Sequence, residues 1–259
     1  MRIRMIIAMA GAAGLFLTGT ANAYPIKDPV LTKNAFYTSG KLAQTRCAEP
    51  PIKNNDRTLA RRYMAALTNC LNTAWGAHFK AAGLPFGKPR LKFVNKVPTG
   101  YCGLNVDPKE KSQVYYCRES RTMVVQIGQN WLTSADDLWL LHVTGLLYGA
   151  HLAGLTGIEK AFDEAPYANR NEMNEQIRRS SLQTDCLGGV FTRSVWSSFG
   201  RGAKDWNELL RTLRDSGDVK GQARTAGTGA NRAAWTKLGY ATGDPASCNT
   251  WTATPARVA

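Results

Sequence analysis

Few residues in this chain are of types suited to binding a metal ion or acting as a base. Among its 259 residues are three histidines, His78, His142 and His151. His142 and His151 are nine residues apart, so in a helix, at about 100° per residue, their side chains lie half a turn out of phase. They therefore face opposite sides of the helix and cannot bind one ion together. His78 follows Trp75 in an earlier segment and is expected to be an ordinary surface or interface residue.

The six cysteines predict disulfide bonds rather than a zinc site. They are Cys47, Cys70, Cys102, Cys117, Cys186 and Cys248. No C-x-x-C pair is present, and an even number of cysteines is typical of an oxidising compartment. Six cysteines allow 15 pairings. Local loop closure favours Cys47 with Cys70 and Cys102 with Cys117, which leaves Cys186 for Cys248.

The motifs of other common catalytic sites are missing. Ser180 and Ser181 have no histidine near them in sequence and no G-x-S-x-G elbow around them. The Gly-Thr-Gly of residues 227–229 lacks the following Lys-Ser/Thr of a phosphate-binding loop. Arg178 and Arg179 are expected to lie on a solvated helix face.

The N-terminus has the pattern of an export signal. Arg2 and Arg4 precede an apolar run over residues 5–17, and Ala21-Asn-Ala23 fits a cleavage site. The run is shorter than the roughly 20 residues that a spanning helix needs. We therefore predict a cleaved signal peptide over residues 1–23, a protein that is secreted or located in the periplasm or cell envelope, and no integral membrane protein.

The rest of the chain alternates helical patterns with short strands. An irregular arm is predicted over 24–45, followed by one domain over 46–259. The predicted helices cover 57–82, 172–195 and 203–213. A further helix, mostly apolar and expected to be buried, is predicted from the Ser134 N-cap to about 155. The predicted strands cover 90–94 and 122–127, with a disulfide-closed hairpin or loop between them. Residues 217–230 are rich in glycine and are predicted to form an exposed loop.

Residues 146–158 read L-L-Y-G-A-H-L-A-G-L-T-G-I and resemble the H-E-Y-G-H-H-V-Q segment of the neutral zinc metallopeptidases. Similar pieces follow in the family's order: L-Q-T-D-C-L-G-G-V at 182–190, A-K-D-W at 203–206, T-A-G-T at 225–228, and G-D-P-A-S-C-N-T-W at 243–251. The resemblance covers roughly residues 45–251. It implies a zincin-like α+β domain, predominantly helical, with a small sheet and a central buried helix that carries the degenerate motif.

The same resemblance implies that the chemistry has been lost. Leu146 and Ala150 occupy the positions of the two histidine ligands, and Leu147 that of the general base. The family's glutamate ligand corresponds to Ser181, and the histidine of its T-H-G-T run corresponds to Ala226. Leucine and alanine cannot bind zinc, and leucine cannot accept a proton. Zinc is expected for the family, but we predict no cofactor for this chain.

Three polar residues remain as candidates for a residual groove: His142, His151 and Asp185. His142 lies one turn before Leu146 on the former ligand face. Asp185 is of the type that orients a metal-bound histidine from outside the ligand shell. Without that histidine it needs another partner, and the spacing makes a contact with His142 conceivable.

The net charge of +14 favours anionic surroundings, and export argues against a nucleic-acid partner. The leading hypothesis is an exported, catalytically inactive metallopeptidase homologue. It would bind a peptide, a protein segment or an anionic cell-envelope polymer through a groove lined by Leu146, Leu147 and Ala150. One alternative is an active hydrolase with a site rearranged around His142, Asp185 and Ser181. The other is a basic cell-envelope binding protein with no function in the groove.

Overall fold

The computed structural model describes residues 26–104, 106–133 and 137–259. The predicted signal peptide and the Ser134 N-cap lie outside these ranges. The described helices are α1 (Pro29–Thr32), α2 (Arg57–Ala81), α3 (Asp137–Leu155), α4 (Ile158–Asp163), α5 (Arg170–Val195), α6 (Ala203–Arg214) and α7 (Gly229–Thr242). The strands are β1 (Arg90–Val94), β2 (Gln113–Cys117) and β3 (Thr122–Gln126). This is the predicted α+β architecture, mainly helical with a small sheet.

The long helix α2 follows from its sequence pattern. The Asp56 carboxylate caps its first turn by accepting a hydrogen bond from the Leu59 N–H. Tyr63, Leu67 and Leu71 recur every four residues and are all buried, so one stripe of the helix faces the core. The prediction for 57–82 is therefore confirmed to within one residue.

The sheet has the strand order β1-β3-β2. β1 runs parallel to β3, with Arg90 opposite Thr122, and β2 runs antiparallel to β3, with Gln113 opposite Gln126. β2 was not predicted as a strand, and it forms a hairpin with β3. The Cys102–Cys117 disulfide closes the segment between β1 and β3, as predicted, and joins the turn end of β2 to the preceding loop. The disulfides Cys47–Cys70 and Cys186–Cys248 also form, so the pairing favoured by loop closure is confirmed.

Helix α3 lies in the centre of the domain and packs against α2, α5 and the sheet. By length and composition alone it qualifies to cross a membrane, but 72% of its most apolar window is buried inside the protein. A buried core helix meets the same criterion, and the packing on several sides identifies α3 as a core helix. The prediction of a central buried helix is confirmed.

Glycines allow α5 to approach its two neighbouring helices closely. A Cβ atom at Gly145 of α3 would lie 3.1 Å from the Cα of Gly188 in α5. A Cβ atom at Gly239 of α7 would overlap the carbonyl oxygen of Cys186. These contacts between backbones fix α3 and α7 on opposite sides of α5, and this arrangement positions the site described below.

The prediction of a solvated face at Arg178 and Arg179 is wrong. Both side chains are buried. Arg179 pairs with Glu175 at 2.7 Å and donates to the carbonyl of Ala253, while Arg178 donates to the carbonyl of Val258. The C-terminal segment covers this face of α5, and its carbonyl groups satisfy the guanidinium groups that it buries.

The arm at 24–45 and the side chain of His78 are more deeply buried than the sequence predicts. The arm at 24–45 contains α1 and a 3₁₀ turn at Ala35–Thr38, and it buries Leu31 and Phe36 in the core. His78 is buried rather than on the surface, because its ring packs on Trp75 and its Nε2 lies 2.8 Å from the Ser39 hydroxyl.

Candidate functional site

The former ligand face of α3 forms a partly open apolar surface. Leu146 and Ala150 lie one turn apart and are both half-buried. Leu147 is only 2% exposed and packs in the core. The expectation that Leu147 lines the groove is therefore wrong: about 100° per residue turns position 147 away from the stripe shared by 146 and 150. Leu146 and Ala150 are the two residues of this stripe that reach the surface, and both also pack against the core.

Ser181 of α5 lies close to Ala226 in the loop before α7. The Ser181 hydroxyl donates to the carbonyl of Thr225 at 3.1 Å. The N–H groups of Thr225 and Ala226 both donate to the Asp218 carboxylate, at 2.9 and 2.8 Å. Two positions that are 45 residues apart in sequence are thus brought together. The Ser181 hydroxyl and the N–H groups of Thr225 and Ala226 are therefore occupied by bonds within the protein, whereas Asp218 Oδ2 is buried without a hydrogen-bond partner among the described residues.

Asp185, His142 and Arg232 form a buried polar cluster between α5, α3 and α7. Arg232 binds the Asp185 carboxylate through two nitrogens, with Nε 2.9 Å from Oδ2 and Nη2 3.1 Å from Oδ1. His142 Nε2 lies 3.1 Å from Oδ1, which confirms the conceivable contact with Asp185. The remaining Arg232 nitrogen, Nη1, donates to the Ser216 hydroxyl at 2.8 Å.

The electrostatics of this cluster keep Asp185 ionised. Burial by itself would raise the pKa of Asp185, but Arg232 and the hydrogen bond from His142 outweigh burial and hold the pKa below its ordinary value. The pKa of Arg232 is in turn raised, because the attraction of Asp185 outweighs the effect of burial. Both carboxylate oxygens are therefore occupied by cationic or N–H donors.

His151 lies on the other side of α3, as the nine-residue spacing requires. Its Nε2 is 2.8 Å from the carbonyl of Gly87, and its Nδ1 is 3.0 Å from the Tyr116 hydroxyl. A carbonyl only accepts, so Nε2 carries the proton and Nδ1 accepts from Tyr116. Burial lowers the pKa of His151 to about 4. The residue is a neutral core histidine and does not contribute to the groove.

Sequence reasoning missed Arg232 as the partner of Asp185. The two residues lie 47 positions apart on different helices, and no local spacing links them. The available signal was chemical: a buried carboxylate without a metal-bound histidine requires a cation, and Arg232 belongs to the segment that resembles the family.

One group of potential metal ligands occurs among the described residues: Cys102, Cys117 and Glu119, whose ligand atoms lie within 4.8 Å of one another. The two sulfur atoms are joined as a disulfide. A cysteine binds a metal ion as its thiolate, and a disulfide has no thiolate, so this group is not a metal site.

The family described as "Putative neutral zinc metallopeptidase" matches residues 4–251. The chain belongs to this family. It is also 25% identical over 263 residues to "Uncharacterized protein YpfJ" of Escherichia coli strain K12, which covers 95% of this chain and 84% of that protein. The protein of the same name from E. coli O6:H1 has the same identity and coverage. No solved structure matches the chain significantly.

Zinc, which the family's description implies, does not fit the residues at the corresponding positions. Leu146 and Ala150 offer no donor atom, and Ser181 uses its hydroxyl on a carbonyl group. Asp185 lies four residues after Ser181 in α5. Arg232 and His142 occupy its carboxylate. A zinc site needs about four donors around one point, and these positions supply none of them.

Proposed function

We propose that this chain is an exported, catalytically inactive member of its family that binds a peptide or protein segment through the groove at Leu146 and Ala150. The proposal is carried by the residue types at Leu146, Leu147, Ala150 and Ser181, which by resemblance correspond to the family's ligands and base and lack the required chemistry. The family scaffold around these positions persists.

The internal contacts of the remaining polar groups support inactivity. Asp185 is neutralised by Arg232, and the Ser181 hydroxyl is bonded to Thr225. A half-buried surface of Leu146 and Ala150, with no charge of its own, suits the apolar side chains of an extended segment. Because no hydrolytic water is activated, a bound segment would be held without being cut.

The three disulfides are typical of an oxidising compartment, outside the cell or in the periplasm. They support the proposal of export. The net charge of +14 favours acidic segments or an anionic envelope surface as the setting in which binding takes place.

The rearranged hydrolase has one observation in its favour, the contact between His142 and Asp185. The same structure weakens it, because the Ser181 hydroxyl points to Thr225 rather than to His142. His142 is also only 1% exposed, so a substrate does not reach its ring. His142→Ala should leave any activity of the purified protein unchanged, whereas a loss of activity would favour the hydrolase.

The proposal is tested with a peptide mixture made by digesting envelope proteins. The mature protein is incubated with the mixture, and mass spectrometry follows both cleavage and retention of peptides. We expect retention without cleavage. Zinc-dependent cleavage that a chelator abolishes would refute inactivity.

A matched pair of variants locates the binding surface. Ala150→Trp fills the groove, whereas Ala81→Trp places the same side chain on the exposed end of α2. We expect Ala150→Trp to reduce peptide retention and Ala81→Trp to leave it unchanged. Salt-sensitive retention that is equal in both variants would instead favour the basic envelope-binding alternative.

A further inference from the structure

A cavity of about 420 Å³ lies at the C-terminal end of α3. Its walls come from the turn between β2 and β3, the segment before β1, and the junction of α3 with α4. None of the five positions that correspond to the family's chemical residues lines it. It is therefore a second candidate site, and it does not depend on the proposed function of the groove.

Three cationic side chains line this cavity: Arg118, Arg121 and Lys160. Arg118 is paired with Asp163 at 3.1 Å, and Lys160 is within 3.7 Å of Glu164. Arg121 has no carboxylate within 4 Å in the described part of the chain. It is thus the cation in the cavity whose charge is available to a ligand.

The backbone places the Arg121 guanidinium at the cavity wall. Arg121 has a φ of +50°, which non-glycine residues rarely adopt. Its Nη1 lies against Gly87, where a Cβ atom would come within 2.8 Å of it. The absence of a side chain at Gly87 provides the space that the guanidinium occupies. The same conformation closes the turn between β2 and β3, where the Arg121 N–H donates to the carbonyl of Arg118 at 3.1 Å.

A buried carboxyl group lies beside the same cavity. Glu159 Oε2 is buried without a hydrogen-bond partner among the described residues. It lies next to Gly154 of the lining, where a Cβ atom would be 2.9 Å from Oε2 and 3.1 Å from the Tyr116 hydroxyl. Burial raises the pKa of Glu159 to about 8, Asp163 and Glu119 add to the rise, and Arg118 opposes it. At neutral pH the group is therefore mostly protonated and is a hydrogen-bond donor.

The remaining wall contains the Glu119 carboxylate, which lies 3.6 Å from Arg118, and an apolar part. Phe86 and Leu155 are half-buried and line the cavity, and Phe86 is fixed by edge packing on Phe79 with ring centroids 5.8 Å apart. A ligand with an apolar body would cover these surfaces. A planar guanidinium matches a carboxylate with two parallel hydrogen bonds.

We propose that this cavity binds a small monocarboxylate with an apolar body, anchored on Arg121 and packed against Phe86 and Leu155. The carboxylate comes either from a free small acid or from the C-terminal residue of a peptide. The two sources share the same chemistry at Arg121.

The test is isothermal titration calorimetry on the mature, disulfide-bonded protein. The probes are N-acetyl-phenylalanine, its carboxamide, phenyl phosphate, and a tetrapeptide with a free C-terminal phenylalanine. We expect the acid to bind at least about 10-fold more tightly than the carboxamide, since a charge-assisted hydrogen bond is lost. Equal affinity of acid and carboxamide, or no binding of any probe, would overturn the proposal. Tighter binding of phenyl phosphate would overturn the assignment to carboxylates.

The tetrapeptide decides the source. Binding tighter than that of the free acid assigns the site to peptide C-termini, and weaker binding assigns it to small acids. Arg121→Gln should weaken binding of the acid about 10- to 100-fold. Lys80→Gln removes an exposed cation of α2 outside the cavity and should have no effect. Circular dichroism verifies that both variants fold. Unchanged affinity in folded Arg121→Gln would refute the role of that residue.

Discussion

Replacing Asp185 by asparagine tests the buried cluster that occupies the carboxylate. The carboxylate accepts two hydrogen bonds from Arg232 and one from His142, at 2.9 to 3.1 Å. Asparagine keeps one acceptor oxygen, but it removes the negative charge and turns an NH₂ group toward a donor. Arg232 then remains largely buried without its counter-ion. Breaking a buried pair in this way costs about 3–5 kcal/mol.

Asp215→Asn is the matched control. Asp215 also pairs with an arginine, Arg211, at 3.2 Å, but its side chain is 66% exposed. Exposed pairs of this kind contribute about 0–1 kcal/mol. The assay is urea unfolding at pH 7 with the disulfides intact. Asp185→Asn should lower the free energy of unfolding by about 3–5 kcal/mol, and Asp215→Asn by less than about 1 kcal/mol.

The pH dependence gives a second measure of the same cluster. The pKa of Asp185 is lower in the folded protein than its ordinary value. Its contribution to stability is therefore fully present above the ordinary pKa of about 4 and is lost as the pH falls through the lower folded value. The difference between wild type and Asp185→Asn should shrink below about pH 4. Equal costs for both variants at pH 7 would refute the reasoning and leave Asp185 free for another ligand.

Three further predictions follow from the packing and the site. His151 should stay neutral above about pH 5, since its pKa is about 4, so its imidazole signals in NMR should not shift between pH 5 and 8; a midpoint near 6.5 would contradict its burial. Gly239→Ala places a methyl group against a carbonyl oxygen of α5 and should lower the unfolding free energy by about 1–3 kcal/mol or more; an unchanged urea midpoint would show that the helices separate readily. The combined substitutions Leu146→His, Ala150→His and Ser181→Glu should raise bound zinc to about one per chain; if metal content does not rise, the correspondence of these positions with the family's ligands is wrong.

The fold could largely be predicted where a helix or strand carries a periodic apolar face. Helix α2 and strands β1 and β3 follow directly from their patterns. Helix α7 was missed because it packs on α5 through Gly239, and a glycine contact leaves no apolar stripe in the sequence. The burial of Arg179 was also missed, since it depends on carbonyl groups more than 70 residues further along the chain.

The loss of ligands is a prediction from the sequence alone, because it concerns side-chain chemistry at the positions that resemble the family's motif. The contact between His142 and Asp185 could be anticipated for the same reason, since both positions are fixed relative to the motif. The roles of Arg232 and Leu147 could not be predicted from the sequence. The first depends on the packing of α7 against α5, and the second on which side of α3 the core covers.

The most direct test of the central claim is the zinc content of the mature, disulfide-bonded protein. The protein is incubated with excess zinc, desalted, and measured by mass spectrometry for zinc per chain. We expect a value near zero, because Leu146 and Ala150 offer no donor atom, the Ser181 hydroxyl is bonded to the carbonyl of Thr225, and Asp185 is occupied by Arg232. A value near one would contradict the account and would mean that the chain binds zinc through residues other than these.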